Sequence, residues 1–276
     1  MRLLILGGSG MAGHMILNYF RKKEKTGVWF TSRNIQEKDA IFLDAVQFDE
    51  VRRLVEKLRP NVIVNGIGLL NEQAARQLTD AICLNSLLPH LLTEWADKYG
   101  GKVIHISTDC VFDGTKGGYT ETDLPDGVSV YAKTKSLGEV TSGRHLTIRT
   151  SIIGPEKKQN GIGLFHWFMQ QSGKINGYQN VLWNGVTTLE LAKAIDQSIT
   201  QDLSGLYHLT APVKLSKYEL LLLLQNVFKK TDVEIVPDGK IVLDRTLTDT
   251  RKELHYSVPD YPEMITALSN WMMSNG

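Results

Sequence analysis

The chain has 276 residues, with 31 Lys+Arg against 30 Asp+Glu and a formal net charge of +1. Its 42% hydrophobic and 22% charged residues exclude disorder as the main state, and the length suffices for one large or two small domains with a sizeable core. The near-zero net charge excludes bulk electrostatics as a basis for nucleic-acid or membrane binding, and two cysteines without CxxC spacing exclude a disulfide framework and fit a reducing, cytoplasmic setting.

Residues 3–6 are a short apolar run that reads as a strand; it is too short for a signal-peptide core or a membrane span, so no targeting segment is expected. A helix follows to about Arg21, with Lys22, Lys23 and Lys25 at its solvated end. The pattern then predicts a strand at 28–31, a helix at 51–58 and a strand at 62–64. One long helix is expected over 80–98, a strand at 103–106, a helix at 129–142 and a strand at 146–149. Short apolar strands alternating with helices predict an α/β fold with a doubly wound parallel sheet, a Rossmann arrangement.

After Arg149 the rhythm changes. Gly161, Gly163, Gly173, Gly177 and Gly185 alternate with Phe165, Trp167, Phe168, Tyr178 and Trp183, which predicts loops and short elements. Helical patterns return at 187–199, 216–228 and 261–273. The expected division is a dinucleotide-binding domain over 1–150 and a smaller substrate-binding lobe over 151–276, with segments of the lobe able to return to the first domain. In open α/β sheets, ligands bind at the carboxyl edge of the strands, where such a lobe would sit.

The run Gly7-Gly8-Ser9-Gly10-Met11-Ala12-Gly13 lies between the first strand and the first helix. Glycine lets the backbone turn tightly and approach a pyrophosphate, and the helix N-terminus offers unpaired N–H donors. The context predicts nucleotide binding. An acid at the end of the second strand would select NAD; Thr31-Ser32-Arg33 stands there instead. Arg33 and Ser32 suit a 2′-phosphate, so NADP(H) is favoured, with NAD(H) possible; the alternative for Arg33 is a surface residue. Asp49 is a candidate for the adenine side.

Tyr131 and Lys135 stand four apart, on one face of the predicted helix. A tyrosine becomes an acid–base group at neutral pH when a nearby cation stabilises its phenolate. The preceding strand ends in Ser107-Thr108-Asp109, whose hydroxyls are placed to hydrogen-bond a substrate carbonyl. His/Cys/Asp/Glu spacing suggests no metal site.

At these residues the chain resembles the extended short-chain dehydrogenase/reductases, and within them the dTDP-4-dehydrorhamnose reductase-like group. The resemblance is carried by Gly7, Gly10 and Gly13; residues 60–65; Asn85; residues 107–114, reading Ser-Thr-Asp-Cys-Val-Phe-Asp-Gly; residues 121–123; residues 131–135; Glu139; residues 149–151; and, more loosely, residues 205–209. It implies NADPH-dependent reduction of a nucleoside-diphosphate keto sugar, expected to be 4-keto-6-deoxy. Tyr131 would be the general acid, Lys135 its cation and a ribose contact, and Thr108 the carbonyl donor, with Ser107 second in line. Gly7, Gly10, Met11, Gly13, Ser32, Arg33, Asn65, Gly66, Asn85, Ser107, Tyr131 and Lys135 would hold the cofactor, Asn85 acting on the lysine through water.

On the substrate side, Arg245 is either a diphosphate contact or an interlobe salt bridge. Trp183, Phe165 and His166 either line the pocket or belong to the core. The resemblance leaves the oligomeric state open and allows a homodimer built on helices 80–98 and 129–142. The group departs from this chain at Cys110, where a tyrosine is usual, and over 154–186. Cys110 also stands where dehydratases of the family carry a glutamate, which argues against dehydration. A nucleotide-sugar epimerase and a non-catalytic regulatory subunit are the alternatives on the same scaffold.

Overall fold

The interior is organised by alternation along the first strand: Leu3 and Ile5 enter one apolar cluster, Leu4 and Leu6 another. A strand whose successive side chains are all buried must be covered on both faces. The structure, a computed structural model, describes residues 1–157, 161–251 and 253–275. Its strands are β1 (Arg2–Leu6), β2 (Gly27–Ser32), β3 (Ile41–Phe42), β4 (Val62–Asn65), β5 (Lys102–Thr108), β6 (Leu146–Thr150), β7 (Ile152–Ile153), β8 (Gly173–Trp183), β9 (Val186–Thr187), β10 (Gly205–His208), β11 (Leu215–Ser216) and β12 (Val233–Asp244). Seven of them form a parallel sheet in the order β10-β6-β5-β4-β1-β2-β3. The order reverses between β1 and β4, which opens a crevice at their carboxyl ends.

The helices are α1 (Met11–Arg21), α2 (Phe48–Leu58), α3 (Asn71–Arg76), α4 (Leu78–Ala81), α5 (Leu88–Asp97), α6 (Val130–Leu137), α7 (Leu164–Gln170), α8 (Thr188–Thr200), α9 (Lys217–Phe228) and α10 (Tyr261–Asn275). Residues of α1 and α8 join the cluster on one face of the sheet, those of α2 and α5 the cluster on the other.

Two helices differ from expectation. The long helix over 80–98 is interrupted: a π-turn, Ile82–Leu87, separates α4 from α5. The wider turn takes up an extra residue, and such insertions gather at functional sites. Here it buries Asn85 and Ser86, both of which bond α6. The helix expected to run to 142 stops at Leu137. Gly138 follows, and a Cβ there would lie 1.8 Å from the Asn85 carbonyl oxygen, so glycine lets α6 close onto the π-turn.

The expected loops over 161–186 contain α7 and the eleven-residue strand β8. β8 pairs in parallel with β12 and antiparallel with β11 in a separate three-stranded sheet. Both long strands alternate buried and exposed positions irregularly, which hides them from a search for apolar runs. α9 begins with a capping box in which Ser216 and Glu219 satisfy each other's backbone N–H. β10 leaves the second half of the chain to close the edge of the main sheet beside β6. No helix among the described residues is long and apolar enough to cross a membrane.

Gly138→Val should lower unfolding stability by about 3 kcal/mol in urea denaturation, because the new side chain must displace backbone; a loss within error would mean that α6 does not need this close approach.

Candidate active site

A cleft of about 360 Å³ lies over the carboxyl ends of β1, β4 and β5. Gly10 and Met11, Gly66, Ser107, Thr108, Tyr131 and Lys135 line it. Gly7 and Gly13 sit beneath as backbone. Gly7 has φ +80°, and a Cβ on Gly13 would lie 2.1 Å from the Gly7 carbonyl oxygen. Only hydrogen at both positions lets β1 turn this sharply into α1. The resulting cradle, at an α1 N-terminus without a side-chain cap, fits a pyrophosphate group.

Ser32 is buried and Arg33 exposed at the end of β2. Ser9 Oγ donates to the Glu37 carboxylate and lies 2.7 Å from Ser32 Oγ. Glu37 in turn pairs with Lys157 at 3.3 Å. Burial works to raise the Glu37 pKa, but bonds from Ser9, Ser32 and Lys157 outweigh it and hold the carboxyl below its ordinary range. An acid therefore does stand beside the second strand's end, brought back five residues later by a turn. Asp49 is exposed and pairs with Arg52 at 3.1 Å.

Asn65 and Asn85 point away from the cleft. Asn85 is fully buried; its Oδ1 accepts from Leu69 N–H at 2.8 Å, and its Nδ2 donates to Leu69 O at 2.9 Å and Thr134 Oγ1 at 3.0 Å. Both amide hydrogens are used, so Asn85 braces the loop after β4. Asn65, also fully buried, accepts from Ile67 N–H and lies 3.1 Å from His105 Nδ1.

Lys135 Nζ is 3.1 Å from His105 Nε2 and donates to Ile106 O at 2.7 Å. Burial lowers its pKa to about 8, against an opposing pull from Glu139. Burial also raises the Tyr131 pKa, with Cys110 adding to it and a hydrogen bond with Thr108 opposing. Tyr131 is thus held as the protonated phenol, the form a general acid requires. Thr108 Oγ1 accepts from Cys110 N–H at 3.1 Å and donates to Asp109 at 3.1 Å. Ser107 Oγ instead donates to Glu139 Oε1 at 2.7 Å. Glu139 is buried and holds Arg149 through two bonds of 2.6 and 2.7 Å.

Trp183, Phe165 and His166 do not line the cleft. Trp183 is buried, its Nε1 donating to Ser151 Oγ at 2.8 Å and its ring lying against Tyr261 at 5.5 Å. Phe165 is buried edge-on to Phe228, and His166 on α7 faces Gln170 at 2.8 Å. The aromatic faces are already occupied, so the core alternative holds for Trp183 and Phe165. Arg245 makes no ion pair among the described residues. Its Nη1 is 3.7 Å from Cys110 Sγ, and its Nε is buried without a partner.

Lys217 and Glu156 were not legible as site residues. The Lys217 ammonium sits 4.7 Å from the centre of the Trp183 ring; burial lowers its pKa to about 8, while Asp109 pulls the other way. Cys110, buried beside Asp109, is pushed up to about 12 and stays a thiol. Glu156 lines the cleft and accepts from Gly163 N–H at 2.6 Å. Neither residue carries a spacing signal, because each arrives from a separate segment. Among the described residues, no group of three or more His, Cys, Asp and Glu side chains is arranged to hold a metal ion.

Residues 1–241 match the family described as RmlD substrate binding domain. The chain is 31% identical over 159 residues to dTDP-4-dehydrorhamnose reductase of Aggregatibacter actinomycetemcomitans, covering 54% of this chain and 51% of that protein. It is 24% identical over 259 residues to methionine adenosyltransferase 2 subunit beta of Danio rerio, covering 86% and 76%. The first of these matches spans about half the length of the relative. Among solved structures, dTDP-4-dehydrorhamnose reductase from Bacillus anthracis in complex with NADP superposes with a TM-score of 0.82 at 18% identity, covering 100% of this chain and 99% of that one.

Glu139→Gln should destabilise the protein by about 3–5 kcal/mol in urea unfolding, since it leaves Arg149 buried with a neutral partner; a change below about 1 kcal/mol would show that Arg149 finds compensation elsewhere.

Proposed function

The chain belongs to the RmlD substrate binding domain family, and on that premise we propose that it is an NADPH-dependent reductase of a nucleoside-diphosphate keto sugar, most specifically a 4-keto-6-deoxy sugar. One observation carries the reading. The protonated Tyr131 and the Thr108 hydroxyl open into the same cleft as the glycine cradle, so a carbonyl and a dinucleotide can meet there. The bound dinucleotide supplies the hydride that enters the carbonyl carbon. Tyr131 gives its proton to the carbonyl oxygen as the C=O bond becomes C–OH. Thr108 donates to that oxygen as charge develops. Ser107 serves less well, because its bond to Glu139 at 2.7 Å is shorter than the one from Thr108 to Asp109 at 3.1 Å, which Thr108 must give up to reach the carbonyl. NADP(H) is the proposed cofactor, NAD(H) the possible one.

The relatives named methionine adenosyltransferase 2 subunit beta support a second reading, a regulatory subunit that keeps the fold. A panel of nucleoside-diphosphate 4-keto-6-deoxy sugars with NADPH separates the two. Turnover on at least one sugar is expected. Bound cofactor with no turnover on any would favour the regulatory reading.

Tyr131→Phe should lower kcat at least 1000-fold while leaving the NADPH dissociation constant within about threefold, the pattern of a lost proton donor. Unchanged turnover would remove Tyr131 from the reaction.

We place the protein in the cytoplasm, where Cys83 and Cys110 remain free thiols. The exposed Leu78, Ile82 and Leu87 beside the exposed Leu137 of α6 support a homodimer contact. Light scattering should give a dimer that Ile82→Glu converts to a monomer; a monomer for both would overturn the contact.

A further inference from the structure

The catalytic lysine ends a buried chain of hydrogen bonds whose direction can be read from one backbone group. Ile67 N–H can only donate, so the Asn65 side-chain atom 3.1 Å from it is Oδ1. Asn65 Nδ2 therefore faces His105 Nδ1 at 3.1 Å and donates to it. Nδ1 must carry a lone pair, and a neutral imidazole with a bare Nδ1 bears its proton on Nε2. That Nε2–H points at Lys135 Nζ, 3.1 Å away. An ammonium has three donors and no lone pair, so it would meet Nε2–H head-on; an amine has the lone pair this contact needs. An imidazolium gives no escape, since Nδ1–H would then face the Asn65 amide hydrogens. One amine hydrogen of Lys135 goes to Ile106 O at 2.7 Å, completing the chain.

We infer that His105, oriented by Asn65, is a positioning residue that binds the neutral amine of Lys135 and thereby governs when this lysine becomes a cation. The groups around the amine agree. His105 and Asn65 are fully buried, and Lys135 nearly so. Burial, with His90 of α5, keeps His105 neutral. Glu139, beyond the end of α6, favours the cation, but its carboxylate is held by Arg149 of β6 and by Ser107 of β5. Tyr131, on the same helix as Lys135, is a neutral phenol turned to Thr108. Asp109, past the end of β5, is bonded by Thr108 and acts with Lys217 and Arg245.

Above its midpoint near pH 8, where Lys135 is the amine, Nζ that leaves Nε2 to reach into the cleft has its lone pair freed and takes one proton from solvent. The positive charge then arises beside Tyr131 as the site fills. This consequence rests on the proposed reductase; the tautomer of His105 and the protonation of Lys135 in the cofactor-free protein do not.

The test is made on the cofactor-free protein by NMR. Long-range 1H–15N correlation of the His105 ring at pH 9 should show the Nε2–H tautomer; the Nδ1–H tautomer overturns the inference. With [ε-13C]lysine, Lys135 (assigned by the peak lost in Lys135→Arg) should titrate near pH 8, where burial places it. In His105→Leu the midpoint should rise by about one pH unit, because the donor to the amine is gone. A merely structural histidine predicts no rise, since leucine is at least as desolvating; an unmoved or lowered midpoint therefore overturns the inference. Calorimetry of NADPH binding at pH 9 in two buffers should show uptake of close to one proton by the native protein and close to none by His105→Leu. Absence of turnover on every sugar would defeat the reductase reading and leave these results standing.

Discussion

Helix α6 rests on the π-turn between α4 and α5, and the chemistry of the cleft depends on that contact. Asn85 reaches Thr134, Ser86 donates to the Thr134 carbonyl at 2.8 Å, and Gly138 removes the side chain that would hold the two apart. One turn of α6 then carries Tyr131 and Lys135 to the carboxyl end of β5. A regular helix in place of the π-turn would turn Asn85 and Ser86 toward other neighbours. The wider turn is thus the local irregularity that gives Tyr131 and Lys135 their depth, and burial at that depth shifts their ionisation.

The interior around this contact holds several titratable groups, and most of them are matched. Glu139 neutralises Arg149 through two bonds and anchors Ser107 with the same carboxylate. Thr108 is held less closely, by Asp109 at 3.1 Å. Lys217 arrives from the N-terminus of α9 to face Asp109 over the Trp183 ring. The second half of the chain therefore contributes charge to the wall behind the cleft while its aromatics supply packing. Near-zero net charge over the whole chain is compatible with such local fields, because the pairing is between neighbours.

Most of the main sheet was legible because parallel strands buried on both faces are short and carry continuous apolar runs, as residues 3–6 of β1, 62–64 of β4 and 103–104 of β5 do. The glycine cradle was legible for a similar reason: Gly13 has no other allowed side chain 2.1 Å from a carbonyl oxygen. The strands β8 and β12 were not, since one face of each is exposed and glycine, asparagine and proline interrupt them. Their parallel pairing is long-range and leaves no local period. Trp183 and Phe165 were ambiguous for a different reason, because an aromatic that lines a pocket and one that fills a core have the same sequence signature.

The amino-acid sequence by itself determined the α/β class, the glycine turn from β1 into α1 and the placement of Tyr131 and Lys135 on one helical face. Each of these follows from spacing along a single element, where 3.6 residues per turn or the absence of a Cβ is decisive. Only the tertiary structure decided what surrounds those residues. It turned Asn85 toward Leu69 and Thr134, set His105 between Asn65 and Lys135, and returned Glu37 to Ser9. Such contacts join residues tens of positions apart, and their geometry is fixed by how strands and helices pack. Protonation follows from that packing, because a buried charge answers to the few groups that touch it.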